Sequence, residues 1–174
     1  MRKISTKMLV EAGIMIAVAQ ILSYVRVFEL PNGGSVTAGS MVPILFYAIR
    51  WGVKPGMFVG GVYGILQLIL GTVYSTHIVS LLFDYSMAFG LLGLAGLFRK
   101  SLAGVFLGVF IGIFGRFVSH VISGAIVFAS YAPEGTNPWI YSGMYNASYL
   151  VPECIISVVV VGLLYKSFKR LPNL

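Results

Sequence analysis

Long, unbroken apolar runs constrain this chain more than any motif in it. They cover residues 8–25, 56–71, 77–98, 102–129 and a last stretch from the Asn137-Pro138 pair to about residue 165. A further run, 39–49, is shorter, so it is expected to be tilted, partly re-entrant, or to begin inside the preceding loop. A helix needs roughly 20 apolar residues to cross the hydrocarbon of a bilayer. These runs are continuous rather than alternating, which points to helices and not to a barrel, because in lipid each backbone group must find its partner within the structure. Asn137-Pro138 suits an N-cap and first-turn pair, so the last helix is expected to start outside the hydrocarbon. The reading is an all-α integral membrane protein, one six-helix domain over residues 1–174.

Composition agrees. Of 174 residues 58% are hydrophobic and only 10% charged, whereas a soluble domain is about one-quarter charged. Disorder would need low hydrophobicity. The opening MRKISTKM has no signal-peptide cleavage site and leads into a run of spanning length, so it reads as a retained first span. Of the twelve basic residues, ten fall on one side of the membrane: Arg2, Lys3, Lys7, Arg50, Lys54, Arg99, Lys100, Lys166, Lys169 and Arg170. Arg26 is alone on the other side and Arg116 is within a span. The crowded side is cytoplasmic by the positive-inside rule, which puts both termini there. That asymmetry accounts for the net charge of +7 without any nucleic acid.

Ionisable side chains inside a membrane helix cost on the order of 2.5–3.5 kcal/mol each and are usually paired or functional. Here they are Asp84, Arg116, His120 and Glu153, with Glu11 nearer a membrane edge. At 1.5 Å rise per residue, Asp84 lies roughly 10 Å below the outer face. Arg116 and His120 lie roughly 20 and 27 Å from the inner end of their helix. Glu153 is in the first transmembrane turns of the last helix. Three helices thus bring polar groups to a similar depth, as expected of a pocket that opens outward.

Helical spacing defines the faces. Arg116, His120, Gly124 and Phe128 recur every four residues and form one stripe, on which the glycine leaves room for a ligand or a neighbouring backbone. Tyr141 and Tyr145 share a face; Asn146, Tyr149 and Glu153 share the adjacent one. An aromatic belt at the interface is an equal reading for Trp139 and Tyr131, less so for two phenols beside an amide and buried charges. Carboxylates among aromatic faces suit a flat cationic heterocycle. Internal pairing of Arg116 with Glu153 or Asp84 would need no ligand, and both readings stay open at this point.

Catalytic signatures are missing: there is no HExxH, GxSxG or Walker glycine loop. Ser119 and His120 point about 100° apart on a helix and make no nucleophile–base pair. The lone Cys154 can form neither an internal disulfide nor a zinc site, and no cofactor is expected. A chain this small with no nucleotide site looks like a binding subunit energised by others. Ala12, Gly13 and Ala17 make a small-xxx-small stripe fit for a partner helix, and Gly56, Gly60 and Gly64 repeat the pattern. Both stripes serve internal packing equally well.

Three segments carry a resemblance: LPNGGSVTAGSMVP (30–43), FDYSMAFGLLGLAGLF (83–98) and HVISGAIVFASYAPEGTNPWIYSGMYNASYLVPE (120–153). With them the chain resembles the substrate-binding S components of energy-coupling factor vitamin transporters, specifically the thiamine-specific members. The resemblance implies a six-helix subunit of a bacterial plasma membrane that binds thiamine from outside. It also implies partnership with a transmembrane coupling protein and two ATP-binding subunits. By matching positions, the pocket would comprise Tyr74, Asp84, Tyr85, His120, Gly124, Phe128, Tyr141 and Asn146, with Tyr145 on the face of Tyr141. Asp84 or its neighbours would answer the thiazolium and Asn146 the aminopyrimidine. The glycine-rich loop 31–39 would be the outer lid, and Ala12, Gly13 and Ala17 would face the coupling protein. The family pattern has glutamate where Asp84 stands and tryptophan where Phe128 stands. The alternatives are an S component for another vitamin such as riboflavin, with Arg116 as the main contact, or a structural or assembly protein of the membrane.

Overall fold

The computed structural model describes residues 4–168. Arg2, Lys3, Lys169 and Arg170, which the charge argument places in the cytoplasm, lie outside the described residues. Six helices follow in order: α1 (Thr6–Ser23), α2 (Val42–Trp51), α3 (Val53–Leu70), α4 (Ile78–Phe98), α5 (Leu102–Val127) and α6 (Pro138–Phe168). Between α1 and α2 the chain makes a two-stranded antiparallel hairpin, β1 (Arg26–Glu29) and β2 (Ser35–Thr37).

Local chemistry explains the starts. Ser5 caps α1 by accepting from the Met8 N–H, and Ser101 caps α5 through the Gly104 N–H. Asn137 accepts from the Trp139 N–H ahead of Pro138, the cap pair expected for α6. Pro152 lies inside α6 and removes one ladder bond a residue before Glu153.

Five of the helices are long and apolar enough to cross a membrane; α2 is not. Its ten residues rise about 15 Å, half of a hydrocarbon core. Every residue from Val42 to Ile49 is buried, as a helix apolar all round must be. The short second run is therefore the centre of the bundle. Large apolar side chains instead cover the outside, among them Phe58, Ile69 and Met144, each about 70% exposed. Apolar exposure of that extent needs a partner, and lipid supplies it.

The glycines of α3 face inward. A Cβ on Gly60 would stand 2.2 Å from the Phe89 carbonyl oxygen, and one on Gly64 2.5 Å from that of Tyr85. The α3 glycine stripe is thus internal packing between α3 and α4. Gly13 and Ala17, by contrast, are exposed, and a Cβ on Gly13 would meet nothing within 4 Å.

Basic groups gather at one end. Arg50 pairs with Glu11 at 2.8 Å, Trp51 donates to the same carboxylate, and Arg99 donates to the Arg50 carbonyl. The hairpin belongs to the opposite end.

Candidate functional site

At the hairpin end, α4, α5 and α6 surround a cavity of about 220 Å³. All nine residues named from the sequence line it: Tyr74, Asp84, Tyr85, His120, Gly124, Phe128, Tyr141, Tyr145 and Asn146.

Asp84 belongs to a segment of α4, Leu81–Met87, wound as a π-helix. Such wider turns are rare and concentrate at functional sites. Its carboxylate is held by three neutral donors. Oδ2 accepts from Ser80 Oγ (2.7 Å) and Ser123 Oγ (2.6 Å), and Oδ1 meets His120 Nδ1 at 2.9 Å. Arg116 Nε donates to His120 Nε2 at 3.1 Å. An arginine has only donors, so Nε2 must carry the lone pair and Nδ1 the proton. His120 is therefore the neutral tautomer that donates to Asp84. The guanidinium of Arg116 also sits 4.2 Å over the ring of Phe89, a cation–π contact in a water-poor setting.

The α6 wall is aromatic. Tyr141, Tyr145 and Tyr149 follow one another with ring centroids 6.1 and 6.4 Å apart, and His120 packs edge-on to Tyr149. Asn146 is oriented from both sides: its Oδ1 accepts from Tyr149 Oη (2.6 Å), and its Nδ2 donates to the Ser142 carbonyl and hydroxyl. Gly124 leaves space that Ser142 uses, since an added Cβ would lie 2.2 Å from Ser142 Oγ. Phe128 packs against Tyr131 at the end of α5, the rings tilted by 35° with centroids 5.6 Å apart.

The hairpin covers the cavity. Gly33 and Gly34 both have φ near +90°, a region that side-chain-bearing residues avoid. A Cβ on either would strike the ring of Tyr74 or Tyr149. Tyr145 Oη donates to the Gly33 carbonyl and latches the turn. At the hairpin's base, Thr37 donates through both its N–H and its hydroxyl to Glu153 Oε1. Arg26 and Glu29 on β1 pair with each other at the rim, and the Glu29 carboxylate raises the Arg26 pKa above its ordinary value.

Neither direct pairing of Arg116 weighed from the sequence is formed: it bonds His120, not Asp84 or Glu153. Glu153, on α6, stands outside the main cavity and is held by Thr37 of β2. Trp139 is half-exposed and lines no part of the site, in keeping with an interfacial role. Sequence reading missed Ser80, Ser123 and Tyr149 as site residues. The first is one helical turn before Asp84 and the second three residues after His120, so spacing alone contained that signal. The hairpin pairing and the π-turn had no comparable mark.

Comparison with known proteins gives a consistent picture. Residues 9–173 match the family described as Thiamine transporter protein (Thia_YuaJ). The chain is 42% identical to the thiamine transporter ThiT of Bacillus subtilis, over 94% of this chain and 92% of that one. It is 33% identical to the ThiT of Lacticaseibacillus paracasei, over 90% and 85%. A solved structure of ThiT from Listeria monocytogenes superposes with a TM-score of 0.80 at 23% identity, covering 94% of this chain and 95% of that one. That last likeness shows the fold.

Proposed function

This chain belongs to the Thiamine transporter protein (Thia_YuaJ) family, and from that premise we propose that thiamine occupies the aromatic cavity with its cationic ring answered by Asp84. The protein is a multi-pass membrane subunit for high-affinity thiamine binding, the S component of an energy-coupling factor transporter, and not an enzyme. Its family works with an energy-coupling module.

The observation that carries the site assignment is the company of Asp84. Its three donors are all neutral, so its charge faces the cavity uncancelled by direct contact with a cation. The tyrosines of α6 offer π-faces to flat rings. Asn146 reaches an aminopyrimidine by giving up the longer of its bonds to Ser142, 3.2 Å to the hydroxyl. The hairpin acts as the lid over the bound vitamin, with Tyr145 as its latch.

The cavity faces outward and the Arg50–Arg99 end faces the cytoplasm of a bacterial plasma membrane, by the positive-inside rule. Residues 39–49, most of them in α2, make the sixth crossing, and both termini are cytoplasmic. Ala12, Gly13 and Ala17 on α1 meet a transmembrane coupling protein that two ATP-binding subunits drive.

Titration of detergent-purified protein with thiamine, followed by tyrosine and tryptophan fluorescence, tests the function. Saturable binding at sub-micromolar thiamine, with none for riboflavin or biotin, is the expected result. Folded protein that ignores thiamine overturns the reading.

A further inference from the structure

Below the ligand cavity lies a second chamber of about 90 Å³, which shares Arg26, Ser35, Gln67, Phe89, Arg116 and Tyr149 with the cavity above; Arg26 there is held by Glu29. Glu153 lines only this lower space. It is 3% exposed; Thr37 occupies its Oε1, and its Oε2 has no hydrogen-bond partner among the described residues. A buried carboxylate oxygen left so is costly unless the space beside it offsets the charge. Arg116 faces the same space and, with its Nε given to His120, forms no direct ion pair with Glu153. A chamber of this volume admits about three waters, enough to bridge the two groups.

The charges around the cavity then balance in pairs, with one left over. Arg26 is matched by Glu29. His120 is neutral by its hydrogen bonds. Arg116 and Glu153 offset each other across the chamber. Asp84 remains, so the site as a whole carries one net negative charge.

Resting on the thiamine reading above, we propose that Glu153 determines selectivity for a cationic ligand without touching it: by offsetting Arg116, it keeps the net charge of the site negative. Glu153 is a positioning residue in the electrostatic sense. Without its charge, Arg116 becomes a surplus positive charge beside the pocket and selectively penalises a cation. At roughly 10 Å and an effective dielectric near 20, one unit charge shifts cation affinity by on the order of tenfold.

The test compares thiamine with 3-deazathiamine, the neutral isostere whose thiazolium nitrogen is carbon, on purified full-length protein. The readout is the ratio of the two affinities. Glu153→Gln keeps a carbonyl oxygen for both Thr37 bonds and removes only the charge. It is expected to lower the thiamine preference about tenfold. Arg116→Gln disturbs His120 and weakens both ligands, yet is expected to raise the ratio. The double variant should return it toward the wild-type value. An unchanged ratio in Glu153→Gln, or equal loss of both ligands, overturns the proposal. If Glu153→Gln does not fold, Arg116→Gln decides: a ratio that fails to rise overturns it as well. Wild-type protein that binds neither compound overturns the thiamine reading itself and this proposal with it.

Discussion

His120 stands between Arg116 and Asp84, accepting from the first at 3.1 Å and donating to the second at 2.9 Å. The arginine thereby decides which ring nitrogen holds the proton, and the aspartate receives that proton's hydrogen bond rather than a direct positive charge. Asp84 is fixed in place by three side-chain donors, with no arginine or lysine among the described residues bonded to its carboxylate.

Asp84→Asn is expected to weaken thiamine binding at least tenfold. A charge-assisted contact is worth about 1.5–3 kcal/mol, and the amide would also oppose one of the three donors now aimed at the carboxylate. Calorimetric titration checks this, with circular dichroism to show that the fold is kept. Unaltered affinity would remove Asp84 from the site.

Replacing His120 separates positioning from packing. His120→Gln still presents a donor and an acceptor, while His120→Phe strands Arg116 on one side and loses a donor to Asp84 on the other. The Phe variant should lose about 1–3 kcal/mol more stability than the Gln variant, the cost of unmet buried polar groups. Thermal unfolding in detergent measures the difference; equal melting temperatures would show that water replaces the imidazole at both positions.

Tyr145→Phe deletes only the hydroxyl that holds the Gly33 carbonyl. One neutral hydrogen bond contributes about 1 kcal/mol, so thiamine should dissociate about fivefold faster with little change in its association rate. Stopped-flow displacement reads both rates. A slower association with unaltered release would assign the hydroxyl to pocket formation instead of lid closure.

Trp139→Phe should leave thiamine affinity within about twofold, because the indole is half-exposed and outside the cavity. A large loss in the same titration would bring the start of α6 into the site.

Gly60→Ala tests the α3–α4 contact. Its methyl would meet the Phe89 carbonyl at 2.2 Å, where backbone and not a flexible side chain must yield. A loss of about 1–3 kcal/mol is expected, seen as a lower melting temperature, whereas Gly13→Ala on the exposed face of α1 should be silent in isolated protein.

Much of this architecture was legible in the linear chain because lipid imposes simple rules. Apolar runs of spanning length became α1, α3, α4, α5 and α6 within a few residues, since a backbone in hydrocarbon has no solvent to fall back on. Asp84, Arg116, His120 and Glu153 stood out because ionisable groups are rare at that depth. Four-residue spacing put Arg116, His120, Gly124 and Phe128 on one stripe and singled out Asn146 beside Tyr141 and Tyr145, and resemblance added Tyr85.

Tertiary structure alone decided who pairs with whom. Hydropathy does not distinguish a lipid-facing helix from a core one, so the burial of α2 from Val42 to Ile49 emerged only when the other helices closed around it. Gly60 and Gly64 of α3 and Gly13 of α1 sit in the same small-residue pattern, yet a Cβ on either of the first two would meet backbone and one on Gly13 nothing within 4 Å among the described residues. Strand pairing of 26–29 with 35–37 and the π-turn around Asp84 arise from contacts between elements, which no local propensity records. The partners of Arg116 and Glu153 were equally hidden. Ionisable residues can be counted along a sequence, but which charges cancel and which one remains for a ligand depends on distances that only the packed bundle sets.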